Sequence, residues 1–181
     1  QNVIKIPYQD LNNSDPDFVK GYPIVPAQRI STTLSKQLAL YVVINSPLQM
    51  ASDFIENYNN HSAIEFIKAV PVSWDTTIVL NGEIENYLTI ARKDKHSNDW
   101  YIGSITNQNS RSFQFKLSFL EEGSYQASIY SDNKKTDLEK KPSLYDFTKK
   151  VLTKRDTLKV NLSAGGGAAI QLKYIGKGMS Y

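Results

Sequence analysis

Residues 32–43 read TTLSKQLALYVV and residues 46–53 read SPLQMASD, and these two stretches decide how the fold is interpreted. Ser31 or Thr32 is a suitable N-cap for a helix that runs through about Ile44. Four apolar residues recur at the spacing of one helix face: Leu34, Leu38, Tyr41 and Val42. Further apolar residues widen this stripe, so we expect the helix to be covered on more than one side.

Pro47 is expected to end this helix, and Leu48 and Met50 then fit a short buried strand. A helix and a strand in this arrangement are typical of one βα step of a parallel barrel or sheet. One such step cannot close a barrel. The pattern therefore predicts that residues 1–73 contain the incomplete end of a (β/α)8 barrel. A second helix is expected from Ser62, which forms an S-x-x-E capping box with Glu65.

Beyond Trp74 the hydrophobic period changes to two, which is the period of a half-buried β-strand. Asn81-Gly82, a strong hairpin signal, separates the predicted strands Thr76–Leu80 and Ile84–Arg92. Six later segments alternate similarly: Trp100–Thr106, Phe113–Phe119, Tyr125–Ile129, Tyr145–Leu152, Leu158–Leu162 and Ile170–Tyr174. The predicted fold is mainly β, with an antiparallel β-sandwich over residues 74–181 preceded by the helical remnant of a barrel.

Composition excludes several kinds of protein and site. The 181 residues carry a formal net charge of only +3, and acidic residues dilute the basic stretches Lys134–Lys141 and Lys149–Arg155. A solvated face explains these stretches better than a nucleic-acid stripe. The chain has no cysteine, so it holds no disulfide and no thiolate-bound metal. No apolar run reaches the length of a membrane span, and neither nucleic acid nor a membrane is expected as a partner.

No motif in the sequence assigns a catalytic or metal-binding residue. His61 and His96 are the two histidines, and neither has a second ligand at metal spacing. Gly165–Gly167 resembles a phosphate cradle but lacks the Gly-Lys-Ser/Thr that follows in a P-loop, so a tight turn before a strand is favoured. Glu121 and Glu122 are expected to be solvated at a turn. The sequence therefore assigns no catalytic residue and no metal ligand, and it identifies no substrate-binding residue.

Four aromatic residues leave two interpretations open. Trp74, Trp100, Tyr101 and Tyr125 could form a platform for sugar rings, because aromatic faces stack on the CH groups of a pyranose. Aromatic residues that alternate along β-strands are more often part of a core or an interface.

Residues 36–43 and 46–53 resemble the end of the catalytic barrel in glycoside hydrolase family 97. The resemblance continues in order through four further stretches: 65–77, 99–106, 117–120 and 163–169. It implies membership of a family of α-glucosidases and α-galactosidases that hydrolyse α-linked oligosaccharides. Family members combine an N-terminal β-supersandwich, a (β/α)8 barrel and a C-terminal β-sandwich linked to oligomerisation.

The resemblance also implies a calcium ion near the substrate, a periplasmic location and a homo-oligomer. The family's catalytic carboxylates and calcium-binding glutamates lie on segments before Gln1, so no residue of this chain is assigned to them and no cofactor is expected in it. The loop Asn12–Arg29 is expected at the rim of the active site.

Two hypotheses follow for the function. The chain is either the C-terminal portion of an α-glycosidase, catalytically silent by itself, or a free-standing β-sandwich module that binds carbohydrate or another partner. The segment Leu34–Met50 favours the first hypothesis, because a free module has no evident need for so apolar a helix. The stripe on Thr32–Ile44 is accordingly expected to be covered by missing barrel elements or by a second copy of the chain.

Overall fold

A computed structural model describes residues 31–51 and 62–176 of the chain. In these ranges it has two helices, α1 (Leu34–Val43) and α2 (Ser62–Ala69). They are followed by eight strands: β1 (Trp74–Glu83), β2 (Tyr87–Asp94), β3 (Trp100–Thr106), β4 (Arg111–Lys116), β5 (Ser124–Asp132), β6 (Tyr145–Thr153), β7 (Thr157–Leu162) and β8 (Gly167–Gly176). The predicted mainly β, antiparallel fold is confirmed.

The strands form two antiparallel sheets that enclose the main core. The larger sheet has six strands in the order β1-β2-β3-β8-β5-β6, and the smaller sheet pairs β4 with β7. Alternate residues of the two sheets point into the space between them, as the period-two pattern predicts. The fully or nearly buried side chains of this core include Trp100, Ile102, Leu117, Tyr125, Leu158, Val160, Ile170 and Leu172.

The opposite face of the larger sheet is covered by the helices. Leu38 and Val42 of α1 and Phe66 of α2 are buried in a second apolar cluster with sheet residues that include Tyr101 and Tyr130. The expectation that barrel elements or a second copy must cover the α1 stripe is therefore wrong, because this stripe packs on the sheet of its own chain. The division at residue 73/74 and the origin of the helices in a barrel stay predictions.

Small residues on the sheet allow α1 to lie very close to it. A Cβ atom built on Gly103 of β3 would lie 2.7 Å from the Ala39 carbonyl oxygen, and one on Gly167 of β8 would lie 2.6 Å from the Lys36 Cα atom. Both distances are shorter than any normal contact. Glycine at these two positions is therefore a requirement of the helix–sheet packing.

The start of α1 differs from the prediction, whereas α2 begins at Ser62 as predicted. Thr33, rather than Ser31 or Thr32, is the N-cap of α1, and its hydroxyl oxygen accepts a hydrogen bond from the Lys36 amide at 3.2 Å. Ser62 lies inside α2 as its first residue, and its hydroxyl hydrogen-bonds with the Tyr145 hydroxyl at 2.6 Å. Displacements of this size at a helix end are common, because several side chains near the end can satisfy the first amide groups.

The strand predicted around Leu48 and Met50 is not formed. Residues 44–51 are irregular, and Leu48 and Met50 are 71% and 74% exposed. The segment folds back on α1 instead, since the Tyr41 hydroxyl donates a hydrogen bond to the Met50 carbonyl at 2.9 Å. The prediction was wrong because apolar residues that alternate over only three positions also occur in a loop, which here is held by a hydrogen bond to Tyr41. Residues 1–30 and His61, including the predicted rim loop, lie outside the described residues.

The first hairpin forms, but its turn is not at Asn81-Gly82. Gly82 pairs with Leu88 inside the ladder, and the chain turns at 84–86, where Glu85 has φ +67°. The observed register places Ile78 opposite Ala91, a residue of the main core, and a bulge after Val79 absorbs the extra residue. Burial of the inner face thus overrides the local turn signal. Ile84, predicted to lie in the second strand, is 91% exposed in the turn.

Candidate functional site

The histidine that the structure describes lies in a surface turn. His96 is exposed, and its backbone amide donates to the Asp94 carboxylate at 3.2 Å, which also accepts from the Ser97 hydroxyl at 2.6 Å. The carboxylate of Asp94 is thus already used to shape the turn. Within residues 31–51 and 62–176, no group of three or more His, Asp or Glu residues could hold a metal ion.

The glycine turn Gly165–Gly167 encloses an anion that belongs to the chain itself. The Asp132 carboxylate accepts hydrogen bonds from the backbone amides of Ser163 and Gly167, both at 2.9 Å. A Cβ atom at Gly166 would lie 1.8 Å from the same carboxylate oxygen. The turn therefore has no room for a phosphate, and the predicted role as a tight turn before a strand is confirmed.

Asp132 also faces the start of α1. Burial raises the pKa of the Asp132 carboxyl, and the nearby Thr33 hydroxyl, the Ser163 and Gly167 amides and the Lys36 ammonium oppose this shift only in part. The side chain is 5% exposed. A carboxylate near the N-terminus of a helix is favoured by the helix dipole. Asp132 thus fixes the glycine turn through the Ser163 and Gly167 amides, and it is a structural residue that sequence reasoning did not single out.

The four aromatic residues do not form a sugar platform. Trp100 and Tyr125 are buried in the main core, whereas Tyr101 is buried on the opposite face of the sheet beneath the helices. Tyr101 donates its hydroxyl to the Ala69 carbonyl at 2.7 Å, and burial raises its pKa to about 12. Trp74 is half-buried and packs against Tyr101 and the guanidinium of Arg92. The interpretation as core aromatics is the right one.

The two carboxylates at the turn after β4 are paired with lysines. Glu121 binds Lys93 at 2.5 Å, and Glu122 binds Lys154 at 2.5 Å. Both glutamates are more than half exposed, so each pair contributes little to the stability of the fold. Neither carboxylate lies in the environment of a catalytic acid, which is usually buried enough to have a raised pKa.

Among the residues that the structure describes, the feature that stands out at the surface is an unpaired edge of the larger sheet. Strand β6 is the last strand of the sheet order, and it pairs with β5 over nine residues in unbroken register. Phe147 and Val151 on this strand are 40% and 61% exposed, and Lys149 and Lys150 lie between them. An edge strand presents unpaired backbone groups to a partner strand, so β6 is a candidate association surface.

Comparison with known proteins gives the family. A family model described as the glycosyl-hydrolase 97 C-terminal, oligomerisation domain matches residues 73–173. A retaining alpha-galactosidase from Bacteroides thetaiotaomicron is 34% identical over 153 residues, which are 84% of this chain and 22% of the relative. The chain thus spans less than a quarter of the length of this relative.

Solved structures agree with this match. A glycoside hydrolase family 97 enzyme from a Pseudoalteromonas species, determined in complex with acarbose, superposes with a TM-score of 0.78 at 38% identity. The superposition covers 81% of this chain and 23% of that enzyme. A beta-arabinopyranosidase with 21% identity and a TM-score of 0.64 shares the fold over 80% of this chain and 22% of its own. The chain therefore belongs to the C-terminal, oligomerisation family of the glycosyl hydrolases 97.

Proposed function

We propose that this chain is the C-terminal portion of an α-glycosidase that hydrolyses α-linked galactosides or glucosides, and that this portion supports self-association. The observation that carries the proposal is the family match over residues 73–173, whose description names oligomerisation. The identity to a retaining alpha-galactosidase supports the substrate class. The hydrolytic step is assigned to the part of such enzymes that this chain does not match.

The chemistry of the described residues supports a scaffold role. The carboxylates that sequence and structure single out, Asp132, Glu121 and Glu122, are engaged by backbone amides or lysines. Calcium and a periplasmic location remain proposals that rest on the resemblance to the family. No described residue is assigned to a calcium ion, and no described helix is long and apolar enough to cross a membrane.

The proposal is tested on the full 181-residue chain by sedimentation velocity between 1 and 100 μM and by a hydrolysis assay with p-nitrophenyl α-galactoside and α-glucoside. We expect concentration-dependent association, together with no turnover in the presence or absence of calcium. A chain that stays monomeric throughout this range contradicts the association role. Turnover that follows the chain through purification, and that is lost when one of its carboxylates is replaced, contradicts the absence of catalytic groups.

One observation favours the alternative of a free-standing interaction module. Helix α1 covers its own sheet through Leu38 and Val42, so the apolar helix by itself no longer requires a barrel. The buried positions of Trp100 and Tyr125 argue against sugar stacking on those rings. A monomeric chain that binds maltose or melibiose oligomers in a calorimetric titration would support this alternative over the proposed one.

A further inference from the structure

We infer that two copies of this chain associate through their β6 strands, which pair antiparallel about a twofold axis at Thr148 and join the two six-stranded sheets into one. The inference rests on the proposed self-association and names the surface that carries it. We choose a second copy as the partner because β6 carries charges of both signs. In this register, the acidic residue of one copy lies opposite a lysine of the other. Symmetric pairing of identical surfaces is also the commonest way in which proteins form dimers.

The larger sheet has two edges, and only β6 is regular. On the opposite edge, β1 pairs with β2 through two register shifts, between Trp74 and Thr76 and between Val79 and Asn81. Bulges of this kind twist an edge strand and hinder its pairing with another chain. The pairing of β6 with β5 contains no such shift from Tyr145 to Thr153.

The charges of the other edge strands do not favour pairing with themselves. Strand β1 carries the acidic residues Asp75 and Glu83, whereas β4 carries Arg111 and Lys116 and β7 carries Lys159. Each of these strands therefore brings only like charges to an identical partner. Strand β6 carries both signs, since Asp146 precedes the lysines 149 and 150.

Symmetry restricts the register to a few arrangements. A twofold axis perpendicular to a continuous sheet keeps each residue on its own face, and directly opposed residues must share a face. Alternate residues of a strand share a face. The axis must therefore lie midway between the two copies of one residue, which face each other across it. The residues opposed across the axis are then separated by an even number of positions.

Of these registers, one brings opposite charges together. With the axis at Thr148, Asp146 of each copy lies opposite Lys150 of the other, so the interface contains two such pairs. Asp146 and Lys150 are both exposed, and Asp146 already accepts from the Asn133 amide at 2.5 Å, which holds the carboxylate in place. An axis at Lys149 or Lys150 would instead oppose two identical ammonium groups, and an axis at Asp146 would oppose two carboxylates.

The other residues of this register are compatible with the pairing. Phe147 lies opposite Lys149, and in the single chain the Lys149 ammonium already lies 5.5 Å from the centre of the Phe147 ring. Tyr145 lies opposite Val151, an aromatic and β-branched pair of the kind that stabilises antiparallel sheets. The pairing would cover Val151, which is 61% exposed in the single chain.

A charge-swap series on the full chain tests the register. Asp146→Lys and Lys150→Asp each replace two attractive pairs by two repulsive ones, so each variant should weaken dimerisation by about tenfold or more. The double variant restores opposite charges in the reversed order and should dimerise like the unchanged chain. Lys159→Asp on β7 makes the same change of charge in the smaller sheet, away from β6, and should leave dimerisation unchanged.

A cysteine introduced at the axis tests the geometry independently. The chain has no cysteine, so Thr148→Cys would be its single thiol. Directly opposed residues have Cα atoms roughly 4.5–5.5 Å apart, which is within the span of a disulfide. Thr148→Cys should therefore form a disulfide-linked dimer under mild oxidation. Val151→Cys should not, because its two copies would lie about 20 Å apart along the strands.

The outcomes separate this inference from the proposed function. Recovery of dimerisation in the double variant and selective crosslinking at position 148 support the β6 pairing. A dimer that is insensitive to both single charge variants and is not crosslinked at position 148 overturns the pairing but leaves the self-association role intact. A chain that is monomeric at all concentrations contradicts both, and open-ended growth with concentration contradicts the closed twofold arrangement.

Discussion

Replacing Gly103 by alanine tests how closely α1 is joined to the sheet. Gly103 lies on the central strand β3, between Ile90 of β2 and Ala169 of β8. A Cβ atom at this position would lie 2.7 Å from the Ala39 carbonyl oxygen and 3.0 Å from the Val42 Cβ atom. The closest atom belongs to the backbone of α1, so the helix must move away as a unit or the strand must shift.

The magnitude follows from the kind of contact. Overpacking of a well-packed interface typically costs about 1–3 kcal/mol. Alanine also reduces the entropy of the unfolded chain, which offsets roughly 0.4–1 kcal/mol of this cost. The net loss in the free energy of unfolding should be about 1–2 kcal/mol. For a chain of this size, that loss corresponds to a decrease in the melting temperature of about 2–8 °C.

The measurement is chemical denaturation followed by circular dichroism, with Gly82→Ala as the matched control. A Cβ atom at Gly82 would lie 3.2 Å from the tip of the Leu88 side chain, which can move. The control should change the free energy of unfolding by no more than about 0.5 kcal/mol. If Gly103→Ala is as stable as this control, α1 does not lie on the sheet as described, and the original expectation of an external cover for its stripe regains its basis.

Further predictions concern buried charges on the helix side of the sheet. Burial raises the pKa of Asp132, so the native state binds a proton more tightly than the unfolded state, and the free energy of unfolding should fall as pH rises from about 4 through the raised pKa. Urea denaturation at several pH values should show a flatter profile for Asp132→Asn; an unchanged profile would contradict the assignment. Arg92 donates to the Val43 carbonyl at 3.3 Å and is 7% exposed. Arg92→Lys should lower the free energy of unfolding by about 1 kcal/mol, because lysine lacks the planar fork, and equal stability in denaturation would refute this role. Leu38→Ala should cost about 2–5 kcal/mol in the same assay, and a loss below 1 kcal/mol would indicate that the second apolar cluster is not formed.

The strands were predictable because alternate residues of most of them point into the main core. Trp100–Thr106 was predicted with the bounds that the structure shows, and Leu158, Val160 and Leu162 alternate inside β7 as expected. At Phe113–Phe119 the alternation outlasts the strand, which ends at Lys116. The later apolar residues still reach the core from a turn, because burial requires only that a side chain point inward.

The partner of an apolar surface was not predictable from the pattern alone. The stripe of α1 indicates that something covers the helix, but the sequence contains no signal that distinguishes a barrel from the back of a sheet in the same chain. The decisive residues, Gly103 and Gly167, lie at least 60 positions beyond the end of α1. Asp132 was missed for the same reason, since its partners Ser163 and Gly167 come from another part of the chain.

The hairpin shows how a local signal and a long-range requirement compete. A turn at Asn81-Gly82 would have set Ile78 opposite Glu85, so that a core residue and a charged residue shared one face of the sheet. The observed turn requires a positive φ at Glu85, which is not a glycine, and a bulge in β1. These costs are local, of the order of 1 kcal/mol, whereas burying a glutamate against the core would cost several times more.

The same competition explains why the two edges of the larger sheet differ. The bulge that places Ile78 over the core also makes β1 irregular, and an irregular edge is a poor template for another strand. Strand β6 shows no such adjustment, since its pairing with β5 contains no register shift. Its outer edge stays regular and carries charges of both signs. An edge of this kind is protected from unselective pairing by its lysines, yet it remains open to an identical strand that brings an aspartate to meet them. Of the two edges that the structure describes for the larger sheet, the requirement to bury a hydrophobic face thus leaves β6 as the one suited to specific association.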